Sequence, residues 1–185
     1  MEREGAGRRR HHENAEPIDL QLFVSKNDDI AVRIERYELR QETAISGFIR
    51  RVYDEFVAGD YPDEGNRVFY DWIEPSQIAA RQQKQNTLLV ALAHSAIVGM
   101  IEMRNTNVIS LLFVDKQYQG RGIARRLVDQ ALRDCLKLDP DIDRLCVHAS
   151  PFSIPIYRKL GFVETDAMQE EFGITYLPME MIIRE

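Results

Sequence analysis

Six residues, Gln119-Gly120-Arg121-Gly122-Ile123-Ala124, stand between an apolar run ending at Val114 and a helical pattern that continues to Cys135. Two glycines there remove side-chain bulk where backbone must come close to a ligand. The helix that follows offers unpaired N–H groups and the positive end of its dipole. That combination suits an anion, a phosphate above all. A turn can also hold glycine only for left-handed backbone geometry, and the six residues alone leave that alternative open. A dinucleotide fingerprint fits less well, because Arg125 occupies the place where a third glycine or alanine would let helix and strand pack. A Walker loop is excluded, since no Gly-Lys-Ser/Thr follows.

The second informative stretch is LCVHASPFSIPIYRKLGF, residues 145 to 162. It reads as a buried strand, a break at Pro151, a helix carrying Tyr157, and an exit at Leu160-Gly161-Phe162 where Gly161 suits a helix C-cap. Taken in this order, Q-x-x-G-x-A after a strand ending in Val-Asp and then I-Y-x-K-L-G-F, the two segments resemble the acyl-CoA-binding core of the GNAT superfamily of N-acetyltransferases. The likeness runs from about residue 30 to the C-terminus.

The resemblance implies an α/β fold: a mixed, mostly antiparallel sheet of about seven strands flanked by helices, with the fourth and fifth strands splayed apart. It implies acetyl-CoA as co-substrate, with the phosphates on Gln119, Gly120, Arg121, Gly122, Ile123, Ala124 and Arg125. The pantetheine arm would lie along the backbone of Leu112, Phe113 and Val114, and an N–H near Leu112 would serve as oxyanion donor. Tyr157 would point at the CoA sulfur; otherwise it is a buried tyrosine that satisfies a core partner. Where many members carry an asparagine that bonds the pantetheine, this chain has Ser150, shorter but able to donate and accept. The implied reaction is N-acetylation of a primary amine on a small molecule or peptide by direct attack in a ternary complex. The alternative is a catalytically silent module that binds or senses acyl-CoA.

Such a transfer needs a neutral amine. An alkylammonium with a pKa of about 10.4 is neutral only about once in a few thousand molecules at pH 7, a penalty of about 4 to 5 kcal/mol. A base should relieve it. Glu102 and His148 are ionisable residues in otherwise apolar strands and are the candidates. For Glu102 the alternatives are a solvent-facing strand position or a salt bridge with Arg104 or Arg121. For His148 the alternative is a satisfied core or rim histidine.

The elements that must position these residues fit one domain of 185 residues with 44% hydrophobic content. Residues 1 to 28 are polar and lack periodicity, so they read as a disordered tail, and 29 to 185 as the single domain. Ile30 begins an alternating strand. A helix follows on Ala44, Ile45, Phe48, Ile49, Val52 and Phe56. Residues 60 to 86 are irregular apart from a helix starting at Pro75 and running through Gln85. A hairpin turns at His94 and Ser95, Val108 to Val114 makes the central strand, and the helix after the glycines buries Ala124, Leu127, Val128, Ala131, Leu132, Cys135 and Leu138. Phe162 to Met168 and Ile174 to Ile183 close the sheet as two strands.

Composition narrows the partners. With 24 basic against 30 acidic side chains, a net charge of −6, neither nucleic acid nor an anionic membrane is expected as the main partner. Residues 54 to 74 hold Asp54, Glu55, Asp60, Asp63, Glu64, Asp71 and Glu74 against Arg67, which would favour a cationic amine or simply form a solvated loop. Two cysteines suggest reduced thiols in a cytoplasmic protein. No metal-ligand cluster stands out, and a homodimer is compatible with all of this.

Overall fold

The computed structural model describes residues 31–84 and 86–183. The expected tail and Ile30 lie outside the described residues, as does Gln85. Within that range the strands are β1 (Val32–Arg36), β2 (Thr87–Ala93), β3 (Ala96–Arg104), β4 (Val108–Val114), β5 (Arg144–Ala149), β6 (Val163–Glu164), β7 (Gln169–Glu171) and β8 (Ile174–Ile182). The helices are α1 (Glu42–Phe56), α2 (Asp63–Trp72), α3 (Pro75–Gln82), α4 (Ile123–Leu138) and α5 (Ile154–Leu160). The sheet order is β1-β2-β3-β4-β5-β8-β6, with β7 also paired to β8. Every pairing is antiparallel except β4 with β5, whose parallel register demands the long crossover that α4 provides.

Two apolar layers sandwich the sheet. On one face Ile123, Leu127, Val128, Ala131, Leu132 and Cys135 of α4 pack with Tyr157 and Leu160 of α5 against Ile101, Ile109, Leu145 and Val147. Gly99 lets α4 approach, because a Cβ there would meet Ile123 at 3.1 Å and Leu127 at 3.2 Å. On the other face Ile45, Phe48, Ile49 and Val52 of α1, with Ile78 of α3, cover Leu88, Val90, Met100 and Leu111.

The chain departs from its sequence pattern in four places. Ala44 and Leu138 are exposed, each sitting at a helix end beyond the reach of the core. Residues 60 to 86 are more ordered than their prolines suggest. Pro62 and Pro75 introduce two helices instead of interrupting one segment, Pro62 as the residue before α2 and Pro75 inside the first turn of α3, where a missing N–H costs nothing. The stretch from Phe162 forms only a two-residue strand, and β7 is a separate short strand folded back on β8. Asp134, on a helix otherwise read as apolar inside, is buried and paired with Arg36 at 3.0 Å and Lys137 at 3.3 Å.

The start of α2 is clamped onto the β7–β8 turn. Tyr61 donates its hydroxyl to the Thr175 carbonyl at 3.0 Å, and Gly65 packs directly on Gly173, which has a φ of 75°. A Cβ on Gly65 would lie 2.9 Å from the Gly173 carbonyl carbon and closer still to its oxygen. Gly65→Ala should therefore force two backbones apart and destabilise the protein by about 1 to 3 kcal/mol, read as a lower midpoint in urea.

Candidate functional site

Asp115 closes β4 by accepting from the Gln117 N–H at 2.9 Å and from Arg51 of α1 at 2.5 Å, so the chain after the strand starts from a fixed point. Gln119 then reaches back, its Nε2 donating to the Val114 carbonyl at 3.1 Å. Gly120 and Gly122 both adopt left-handed backbone, φ 73° and 75°. A Cβ at either would meet nothing within 4 Å, and both are exposed. The left-handed Gly122 is the N-cap of α4, so the first N–H groups of that sixteen-residue helix lack partners within the helix, and Arg121 and Arg125 flank them in sequence. Arg121 rests on the Tyr118 ring at 5.3 Å, and Arg125 donates to the Lys159 carbonyl at 2.7 Å, joining the start of α4 to the end of α5.

Next to this turn the sheet parts. β4 and β5 share only two residue pairs, Val108 with Cys146 and Ile109 with Val147, although β4 runs on to Val114 and β5 to Ala149. The departure has a local cause. Opposite β4, Glu102 pairs with Leu111 and Met103 with Ile109, leaving Ser110 as an extra residue, and such a bulge bends and twists its strand. β5 meanwhile is held by six pairs to β8. Leu112, Phe113 and Val114 thus keep β3 on one side and lose β5 on the other, leaving a strand edge to which an extended ligand can add.

Tyr157 lies on α5, its side chain buried and its ring edge-on to Phe162 at 5.2 Å. Burial pushes its phenol well above the usual range. The glycine exit fixes the helix: Phe162 N–H donates to the Tyr157 carbonyl at 3.0 Å and Gly161 N–H to Arg158 at 3.1 Å, with Gly161 at φ 99°. The helix begins at Ile154, with Pro155 in its first turn. Ser150 donates to the Ser153 hydroxyl, which donates in turn to the Ser150 carbonyl, both at 3.0 Å.

The two base candidates differ in access. His148 is the first β5 residue past the last pairing with β4, exposed and stacked on Tyr176 with ring centres 4.1 Å apart. Partial burial, with help from Arg104 and against the pull of Glu171, lowers its pKa below the ordinary histidine value. Glu102 is neither solvent-facing nor paired with Arg104 or Arg121. It is fully buried, and both its oxygens accept from Arg81, at 2.9 and 3.0 Å.

Residues 57–183 match the model of the acetyltransferase (GNAT) domain. The chain belongs to the GNAT acetyltransferase family. Among GNAT structures, a GCN5-related N-acetyltransferase from Rhodopseudomonas palustris superposes with a TM-score of 0.69 at 19% identity, covering 82% of this chain and 95% of that one. The PaiA N-acetyltransferase from Thermoplasma acidophilum, solved with coenzyme A, gives 0.69 at 18% identity, covering 83% of this chain and 99% of the other. A spermidine N(1)-acetyltransferase from Vibrio cholerae is 26% identical over 98 residues, which are 49% of this chain and 56% of that relative. The mixed sheet and flanking helices expected of a GNAT fold are present, with eight strands in place of about seven.

Sequence reasoning missed the residues that surround this GNAT site from the α1–α2 side. Tyr53 stacks on Phe69 at 3.8 Å, and Phe69 meets Phe113 edge-on at 6.1 Å. Phe56 of α1 stacks on Phe152 at 5.0 Å, bridging α1 to the loop after β5. Aromatic clustering between 53 and 72 was the available signal; the pairing was not. Among the described residues no group of His, Cys, Asp or Glu could hold a metal ion, and no helix is long and apolar enough to cross a membrane.

Open space around Gly122 makes a sharp test. Gly122→Val adds an isopropyl group, whose Cβ meets no protein atom within 4 Å, and disfavours the left-handed backbone, while α4 keeps its buried face. Its circular dichroism should match the parent, and calorimetry should show at least about a tenfold loss in acetyl-CoA affinity.

Proposed function

We propose that this protein transfers an acetyl group from acetyl-CoA to a primary amine of a small molecule or peptide, by direct attack in a ternary complex. The observation that carries the reading is the parting of β4 from β5 after two residue pairs, beside the glycine turn. Thioester and amine meet at that parting from opposite faces of the sheet. The thioester, when bound, supplies an activated acyl group with a thiolate leaving group.

In this reading Gln119, Gly120, Arg121, Gly122, Ile123, Ala124 and Arg125 hold the phosphates, through backbone N–H groups and the two guanidiniums. The β4 backbone along Leu112, Phe113 and Val114, unpaired with β5, takes the extended arm, Ser150 offers it a hydroxyl, and an N–H near Leu112 faces the developing oxyanion. Tyr157 donates to the departing sulfur. With its phenol held above the usual value of about 10 and a thiol near 8.5, complete proton transfer is uphill by about 2 kcal/mol or more, so the hydroxyl acts as a hydrogen-bond donor to the thiolate. His148 takes the amine proton, directly or through water, because it combines access with a lowered pKa and is neutral at pH 7. Glu102 has no exposed surface through which to receive that proton directly.

The acceptor proposed is a cationic amine, as the name of the Vibrio cholerae relative suggests. Asp60, Asp63, Glu64 and Asp71 are exposed along the segment that follows α1. Three other acids from the same run are already engaged, Asp54 with Tyr70, Glu55 with Lys116 and Glu74 with Arg50. Release of thiol from acetyl-CoA in the presence of spermidine, other diamines and peptide N-termini tests the assignment. Turnover of none of them, with acetyl-CoA still bound, would leave a silent acyl-CoA-binding module.

Two substitutions check the roles. Tyr157→Phe should bind acetyl-CoA as the parent does and lose about ten- to a thousandfold in turnover. In the parent, kcat/KM should fall with acidification as His148 becomes protonated, with a midpoint below about 6.5 because its folded pKa is lowered. His148→Asn should abolish that limb, and a limb unchanged in the variant assigns the proton to another group.

A further inference from the structure

An ionised carboxylate as deeply buried as Glu102 needs compensating donors, and Arg81 with Gln82 provides them. Arg81 Nε donates to Oε1 at 2.9 Å and Nη2 to Oε2 at 3.0 Å, while Gln82 Nε2 adds a bond to Oε1 at 3.0 Å. The same guanidinium does more than neutralise. Its Nη1 donates to the Trp72 carbonyl at 2.7 Å, at the C-terminal end of α2, and its charge sits 4.3 Å from the centre of the Trp72 ring. One side chain from α3 therefore grips β3 and α2 at once. Only a planar fork with separate donor directions can do so.

What α2 carries gives this grip its consequence. Phe69 lies against both Tyr53 of α1 and Phe113 of β4, and the opposite end of α2 is clamped at Gly65 to Gly173. We infer that Glu102 and Arg81 are positioning residues for the amine side of the site: they fix α2, and through Phe69 the free edge of β4, without touching either reactant. The inference rests on the proposed function, in which a cationic amine approaches along the acidic segment that follows α1. It assigns the Glu102 charge to holding Arg81 in place and leaves proton transfer to another group.

Trp72 is the single tryptophan in the chain, so its emission reports on the grip directly. Arg81→Lys and Glu102→Gln, made in the full chain, should both give redder and more easily quenched emission. Hydrogen exchange across residues 63–72 should quicken by at least about fivefold, and exchange across 123–138 should not change. With spermidine as the probe amine, KM should rise about three- to thirtyfold, acetyl-CoA affinity should stay within about twofold, and the acid limb of kcat/KM should remain. Arg81→Lys leaves no buried charge unpaired and keeps the test available if Glu102→Gln does not fold.

Unchanged exchange across 63–72 in a folded variant would overturn the inference. So would faster exchange with an unmoved amine KM, which makes the pair structural only, or loss of the acid limb in Glu102→Gln with Trp72 emission unmoved, which makes Glu102 the base. If spermidine and every other amine fail as substrates of the parent, the acetyltransfer reading is what fails. Exchange and emission would then support or overturn the anchoring of α2 by themselves.

Discussion

A β-strand must satisfy its backbone on both sides, and β4 does so only in part: beyond Ile109 it loses β5, and Gln119 bonds the Val114 carbonyl at its end. Six residue pairs tie β5 to β8 and two tie it to β4, so β5 follows β8 where the bulge turns β4 away. The exposed edge from Leu112 to Val114 is a standing demand for hydrogen-bonding partners, met by water or by an extended ligand. The glycine turn hangs from the end of that edge through Asp115 and Gln119, and Tyr157 of α5 belongs to the same apolar layer as Val114.

The helices that flank the edge are linked to one another as well as to the sheet. Arg125 in the first turn of α4 donates to the last turn of α5, and the exit at Gly161 returns two bonds to that helix, one of them to Tyr157 itself. In the proposed reading, the helices at the phosphate end and the sulfur end of a bound cofactor share a hydrogen bond. On the opposite face an aromatic chain through Tyr53, Phe69 and Phe113 continues the contact into β4. The site is built from both sides onto one strand.

Local chemistry was the legible part of the sequence. A glycine-rich turn opening a helix, and a tyrosine inside a helix that ends in glycine, depend on residues a few positions apart, and left-handed Gly120, Gly122 and Gly161 appear where spacing puts them. Helix α2 was not legible, because Phe69 packs on Tyr53 and Phe113 from other elements and the helix's buried residue is a glycine. The partner of Glu102 was hidden for a related reason. Arg81 lies twenty-one residues away on a helix packed through Ile78 with α1, and the nearer Arg104 and Arg121 had equal claim on charge alone. Burial of Asp134 likewise depends on Arg36 from a distant strand. Long-range pairing of charges leaves no periodic trace.

The bulge at Ser110 has a consequence for how this strand can vary. Ile109, Leu112 and Val114 pack toward α4, while Leu111 and Phe113 pack toward α1, so Ser110 is a residue inserted into an otherwise regular alternation. Removing it would restore that alternation with every neighbour still on its own face, and the straightened strand could continue pairing with β5. Exchanging it for another side chain leaves the extra peptide unit in place. The parting of the strands therefore depends on residue count and not on residue type: position 110 can drift in identity while the parting persists, and a single-codon loss there would give a protein with the same two cores and no parting.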